Sequence, residues 1–490
     1  MKKEDLFAAL ADIDPASVEQ ARACRGRRTP GWMRWTAAAA CLALLIVAVL
    51  GVLTARNGGL GGTATSYPAG VTVLEAVRPE PVARRLSAAQ FLESGEKREW
   101  WTGYRELTAA AAGLSSGLDG YSYALLSRVL TGEDENRVCS PLNTYFALAA
   151  LTEATGGNTR RQLLDLLGAE DRETLRATVS ALWQSNSVDT PVLKSLPAAS
   201  LWLDSRAEYN TDTLKRLAEV YHASVFSGLM GSKEMDRAVQ IWTDEHTGGL
   251  LREYTQEMSG EYAQGMTMLP DTVMELLSTI YFKALWLNDF REEATTRETF
   301  HGTAGDSTVD MMHGMDMLSV HYGEGFTAVG LPLGYSGFMY FLLPEAGTDL
   351  NALLSDPALL QVLRAEGADE WAVRTVHLSI PRFKVSGKTD LRKTLAALGV
   401  TDALDPDLAD FSPLTAESGA PIFLSGAEHT AMLEIDEHGV TGAAYTALRA
   451  ASAGVLPEEK LYFTLDRPFL FLVTGGDGSI LFAGAVRNLP

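Results

Sequence analysis

The chain has 490 residues, 46% hydrophobic and 21% charged, enough apolar material for one large domain or a few smaller ones. Lys and Arg number 41 against 62 Asp and Glu, a formal net charge of −21, which repels phosphate backbones and excludes nucleic acid as an expected partner. The three cysteines, Cys24, Cys41 and Cys139, form neither a CxxC pair nor a disulfide framework, and the eight histidines form no HExxH, so no metal or cofactor is expected.

In chain order, residues 1–34 are expected to be a short cytoplasmic segment containing one helix-compatible stretch. The run Trp35 to Leu53 carries no charge and is close to the ~20 residues that a bilayer-spanning helix needs. A transmembrane helix is therefore expected over 35–54. Arg22, Arg25, Arg27, Arg28 and Arg34 precede it and only Arg56 follows, which orients the N-terminus to the cytoplasm and the bulk of the chain outward. The expected location is the cell membrane, crossed once. Residues 55–114 read as a spacer: a Gly-, Ser- and Pro-containing tether, then a poorly patterned stretch with one short helix near Leu86–Leu92.

From about residue 115 the pattern becomes that of one mixed α+β domain reaching 490. "YSYALLSRVL" and "SPLNTYFALAALTEATGGNTRRQLLDLLG" read as helices, the second opened by Ser140-Pro141 and broken at Gly156-Gly157. "STIYFKALW", "TAVGLPLGYSGFMYFLLP" and "VHLSIPRFKVSG" are β-rich. "TDLRKTLAALGV" returns to helical period. The tail "RPFLFLVTGGDGSILFAGAVRNLP" reads as a buried hairpin turning at Gly476-Asp477-Gly478. "GLSSG" fits G-x-S-x-G around Ser115, but it sits in a small polar stretch rather than after a buried strand, so a loop is expected there and not a nucleophile elbow. With no phosphate loop and no other catalytic set, the domain is not expected to be an enzyme.

"DRPFLFLVTGGDGSILFAGAVRNLP" resembles the terminal signature of the serpins, a family of serine protease inhibitors. Working backward, "GAEHTAMLEIDEHGV", "LSIPRFKVSGKTDLRKTLAALGVTDAL", "STIYFKALW", "IWTDEHTGGLL" and "CSPLNTYFALAALTEATGGNTRRQLLDLLG" also resemble family segments, in order and spacing. The resemblance spans 115–490 and implies an α+β serpin fold of about nine helices and three β-sheets, with an exposed loop near the C-terminus. It implies a monomeric inhibitor that acts as a suicide substrate, and the short cytoplasmic segment with its uncleaved apolar run suggests a bacterial surface protein. A serine protease cuts the loop, and the loop inserts into the central sheet as a strand while still carrying the enzyme. The alternative is a non-inhibitory serpin-fold binding or scaffold protein.

By the same resemblance the hinge of the loop is Glu437, Gly439, Val440, Thr441, Gly442, Ala443 and Ala444. Ser140, Asn143 and His429 match a polar cluster beneath the opening of the sheet, and Trp286 matches the place where the loop first enters. Counting along the loop places the reactive bond between Ala453 and Gly454, suited to an elastase- or subtilisin-like protease. Arg449 is the alternative and would suit a trypsin-like one. The residues themselves are compatible with insertion. Val440, Gly442, Ala444, Thr446 and Leu448 would share one face of a strand, uncharged and small at the start. Thr441, Ala443, Tyr445, Ala447 and Arg449 would share the other, and no proline intervenes before Pro457. The chain departs from the family at Gly442 and Tyr445, where inhibitors usually carry alanine, at Ser278, usually asparagine, and at Asn143, usually serine.

Overall fold

The structure, a computed structural model, describes residues 67–247, 273–356, 359, 371–415, 422–440 and 459–490. The expected membrane run at 35–54, the cytoplasmic segment and the first part of the tether lie outside the described residues. So do the loop positions Thr441, Gly442, Ala443, Ala444, Tyr445, Arg449, Ala453 and Gly454. Among the described residues no helix is long and apolar enough to cross a membrane.

Ten α-helices are present among the described residues: α1 (Ala88–Glu93), α2 (Gly95–Gly117), α3 (Asp119–Val129), α4 (Pro141–Ala154), α5 (Gly157–Leu167), α6 (Arg172–Asn186), α7 (Thr211–Glu219), α8 (Lys233–His246), α9 (Leu350–Leu354) and α10 (Leu391–Ala397). Local chemistry sets their ends. Ser140 caps α4 through a bond from the Asn143 amide, with Pro141 in the first turn where a missing N–H costs nothing. Every residue of α4 is buried, as an all-round apolar helix requires. Gly157 and Gly399 take positive φ, where the sequence puts a helix break and a helix end.

The strands form two hydrogen-bonded sheets. The first runs β1 (Thr72–Leu74), β5 (Ala223–Gly228), β4 (Leu193–Asp204), β6 (Met274–Leu285), β14 (Gly439–Val440), β13 (Gly426–Asp436) and β12 (Phe383–Asp390), with β3 (Val188–Asp189) on β4. The second runs β15 (Lys460–Thr464), β11 (Trp371–Pro381), β8 (Gly305–Gly323), β9 (Phe326–Pro332), β10 (Phe338–Pro344), β16 (Phe469–Thr474), β17 (Ile480–Val486) and β2 (Arg137–Cys139), with β7 (Thr296–Gly302) on β8. Three sheets were expected and two are found among the described residues. The reason is β8, a 19-residue strand that pairs with β7, β11 and β9 in turn and so fuses what would otherwise be separate sheets. Helix α4 lies in the core between them.

Two further expectations change. Residues 67–114, read as part of a spacer, pack into the domain: β1 extends the first sheet, and α2 is a long helix burying Tyr104, Thr108, Ala111 and Ser115 along one face. That face is small and partly polar, which is why its period is faint in the sequence. Ser115 accordingly stands in a helix rather than a loop, buried, its hydroxyl donating to the Asp477 carbonyl at 2.6 Å. The terminal hairpin β16–β17 is buried throughout, and the Asp477 side chain at its tip accepts from Ser185 Oγ at 2.7 Å and Asn186 Nδ2 at 2.6 Å.

Candidate functional site

The site is the seam between β6 and β13. These strands pair directly, in parallel, only from Glu275–Gly426 to Thr279–Thr430. At the far end of the same seam stands β14, antiparallel to both: Gly439 faces Leu285 and Asp436, and Val440 faces Ala284 and Ile435. Among the described residues no strand pairs across the seam with 280–283 or with 431–434, an interval of about 13 Å at ~3.3 Å per residue. Gly439 and Val440 of the expected hinge thus occupy a slot in the sheet, and Val440 is only 1% exposed.

The chain reaches this slot through a tightly held turn. Asp436 Oδ1 accepts from the amides of His438 at 2.8 Å and Gly439 at 3.1 Å. The Trp286 indole donates to the Asp436 carbonyl at 2.8 Å, its amide to the His438 carbonyl at 3.0 Å, and the Phe290 amide to the Glu437 carbonyl at 2.9 Å. A side chain at position 439 would place Cβ 2.1 Å from the Ala284 carbonyl oxygen, so glycine is required by close approach. Glu437 points inward and is 2% exposed. Arg382 grips both its oxygens, Nε at 2.9 Å and Nη2 at 2.6 Å, and the Thr295 hydroxyl adds a third bond. Burial alone would raise its pKa, but Arg382 and Thr295 outweigh that and hold the carboxyl below its usual range.

At the closed end of the seam, His429 of β13 stands in register with Ser278 of β6. The imidazole is fully buried. Its Nε2 receives the Ser140 amide at 2.9 Å, and Nδ1 lies 2.9 Å from Ser278 Oγ. A backbone N–H can only donate, so Nε2 is the acceptor and Nδ1 carries the proton toward Ser278. Burial pushes the imidazole down to about 4, so it is neutral near pH 7. Asn143 donates from Nδ2 to the Ala198 carbonyl at 3.2 Å, while its Oδ1 and the Thr430 hydroxyl are buried without a partner.

The structure therefore brings Ser140, Asn143 and His429 together beneath the seam and puts Trp286, Glu437, Gly439 and Val440 at its mouth. Serine at 278 serves as the histidine's acceptor across the seam. Sequence reading missed Arg382, Thr295 and Phe290, and the structural part played by Asp436. Only the dense charges of "EIDEHG" hinted at a held turn. Among the described residues no cluster of His, Cys, Asp or Glu is arranged to hold a metal.

Comparison with known proteins agrees with this architecture. The profile of the family described as Serpin (serine protease inhibitor) matches residues 117–489. Alpha-1-antitrypsin of Sus scrofa is 27% identical over 390 residues, covering 78% of this chain and 88% of its own length. A serine protease inhibitor of Cyanea capillata is 28% identical over 375 residues, covering 74% and 94%. Among solved structures, the thermophilic serpin tengpin in its native state superposes with a TM-score of 0.66 at 22% identity, covering 76% of this chain and 93% of its own. That likeness shows the fold. On the family profile and the curated relatives together, this chain belongs to the serpins, a family of serine protease inhibitors.

Proposed function

We propose that the domain inhibits serine proteases as a single-use substrate: the enzyme cuts the loop, and the loop inserts along the seam before the acyl-enzyme is released. The observation that supports this reading most directly is β14, two residues of the hinge standing as a strand between β6 and β13 while the interval beyond it has no described partner. Insertion would pair backbone groups on two neighbours. At roughly 1 kcal/mol net per hydrogen bond, a strand of about ten residues stabilises the product by on the order of 10 kcal/mol.

The bond we assign to cleavage is Ala453–Gly454, which favours an elastase- or subtilisin-like protease. Arg449 is the alternative for a trypsin-like one. The domain acts as a monomer outside a bacterial cell, held by the apolar run at 35–54 with its N-terminus in the cytoplasm. The test is incubation of residues 67–490 with proteases of the three classes. An SDS-resistant complex with at least one of them is expected, together with a rise in the melting temperature of the cleaved inhibitor. Clean cleavage by all three without any complex would leave the non-inhibitory binding reading in its place.

A further inference from the structure

The pairing of β14 sets a register for the whole seam. Val440 stands level with Ala284 of β6 and Ile435 of β13, and runs antiparallel to both. Each step forward along an inserted loop therefore meets one step back along β6 and one step back along β13. Nine residues on, Arg449 falls level with Glu275 and Gly426. Glu275 and Gly426 are already partners in the direct β6–β13 ladder, so the rows of the two strands are aligned before any opening. The strands need only part, by one spacing of ~4.8 Å, and need not slide, to take a strand from Val440 to Arg449, about 33 Å long. No proline lies between those two residues.

Register also fixes the face. Val440 and Ala284 belong to the main core, so Arg449 would fall on the opposite side of the sheet, with Glu275, Leu277 and Glu428. Two residues earlier, Ala447 would lie level with Leu277, which packs with Trp202 and Trp242; a small side chain suits that covered row. At the base of this face Glu275 lies across Gly426, where a Cβ would stand 2.7 Å from the Glu275 Cγ. The cations that act on Glu275 are each committed to another carboxylate. Lys388 pairs with Glu428 at 2.9 Å, and Arg392 with Asp390 at 2.7 Å. Burial first, then Glu428, push the Glu275 carboxyl up to about 7; Asp390 adds to the rise, and Lys388 and Arg392 offset only part of it. A further cation in this row would relieve it.

We propose that Arg449 is the positioning residue that anchors the base of the inserted strand: once the loop is cut beyond it, its guanidinium enters the row of Glu275 and pairs with that carboxylate, with Glu428 in reach on the diagonal. The proposal rests on the insertion reading above, and it places Arg449 inside the strand, four residues before Ala453, rather than at the cut. The test is a double-mutant cycle on the full chain, with Arg449→Gln and Glu275→Gln made singly and together and Arg449→Lys as the conservative variant. Each protein is studied uncut and after elastase cleavage, the cut being located by mass beyond residue 449. Guanidinium unfolding at pH 8 reads the stability of both forms. The anchor predicts a coupling of about tenfold in the unfolding constant of the cut form, none in the uncut form, and most of it retained in Arg449→Lys. If the cut wild type gains stability but shows no coupling, the loop inserts without the anchor and the proposal is overturned. Equal coupling in both forms also overturns it, since the pair would then precede insertion. If the cut wild type gains no stability, insertion itself fails and the anchor falls with it. That outcome is separable from the other two, in which the gain persists.

Discussion

His429 and Ser278 join the two strands that would part under the proposed insertion: one sits on β13, the other on β6, in register, with Nδ1 and Oγ 2.9 Å apart. The same ring receives the Ser140 amide of α4, so a single neutral side chain ties both edges of the seam to the core helix below. Protonating it would set a second N–H against the Ser140 N–H. That explains in physical terms why burial and geometry both favour the uncharged ring.

Acid should therefore weaken this bolt. The folded pKa of about 4 lies below the ordinary value of 6.5, so the unfolded chain takes up the proton first. The associated stability is fully present above about pH 6.5 and declines by about 1.4 kcal/mol per pH unit down to about pH 4. His246 is pushed to about 4 by burial and adds a loss of the same sign, whereas Glu275 acts in the opposite direction. The comparison is thus made between the wild type and His429→Asn. Urea unfolding at pH 7 and pH 4.5 should show the difference between the two narrowing by about 2–3 kcal/mol. An unchanged difference would mean that His429 is not the titrating group.

Glu275, at the closed end of the seam, offers the converse case. Burial first, and then the neighbouring Glu428, push its carboxyl up to about 7, against the partial relief of Lys388 and Arg392. A folded pKa above the unfolded value costs stability as pH rises through that interval. Glu275→Gln should stabilise the protein at pH 8 by about 2 kcal/mol and leave it nearly unchanged at pH 5. Denaturant midpoints at the two pH values measure this. Equal effects at both would place the gain in packing rather than charge.

Which parts of this were legible in the sequence follows from how local their causes are. The hairpin β16–β17 and helix α4 carry their burial in every residue, and their caps and turns lie beside them, so both could be read directly. Helix α2 could not, because its buried face is built from Tyr104, Thr108, Ala111 and Ser115 and shows little apolar contrast. The site was legible only through family resemblance. Nothing in "GAEHT" reveals that His429 meets a serine 151 positions away, and Arg382 finds Glu437 across 55 positions. Merging of the expected sheets turned on the uninterrupted length of β8, which alternation within short windows does not register.

Removing the Arg382 guanidinium should leave Glu437 as an unpaired buried carboxylate. Arg382 is 43% exposed, which lowers the loss from the 3–5 kcal/mol typical of fully buried pairs to about 2 kcal/mol for Arg382→Ala. The wild-type Glu437 carboxyl titrates below its ordinary range, so its contribution is present above about pH 4.5 and fades as pH falls through the folded pKa. Arg382→Ala and wild type should accordingly differ most near pH 7 and converge toward pH 3. Thermal melts across that range check it, and a constant difference would contradict the ion-pair account.

Gly439 is where stability and inhibition can be separated. An alanine Cβ would stand 2.1 Å from the Ala284 carbonyl oxygen and 2.9 Å from Leu285 Cα, both backbone atoms that a side-chain rotation cannot move. The strand β14 must then leave the slot, exposing Val440, whose burial is worth about 1.5–3 kcal/mol. The rest of the sheet keeps its pairing, so Gly439→Ala should fold and its loop should be cut at an undiminished rate. If the loop inserts as proposed, what it should lose is the head start of a strand already seated between β6 and β13. In a stoichiometry assay, more inhibitor should be consumed as cleaved product per enzyme trapped, by about tenfold if a deficit near 1.4 kcal/mol falls on the insertion step. Trapping at the wild-type stoichiometry would show that the seated hinge contributes nothing to the race between insertion and release.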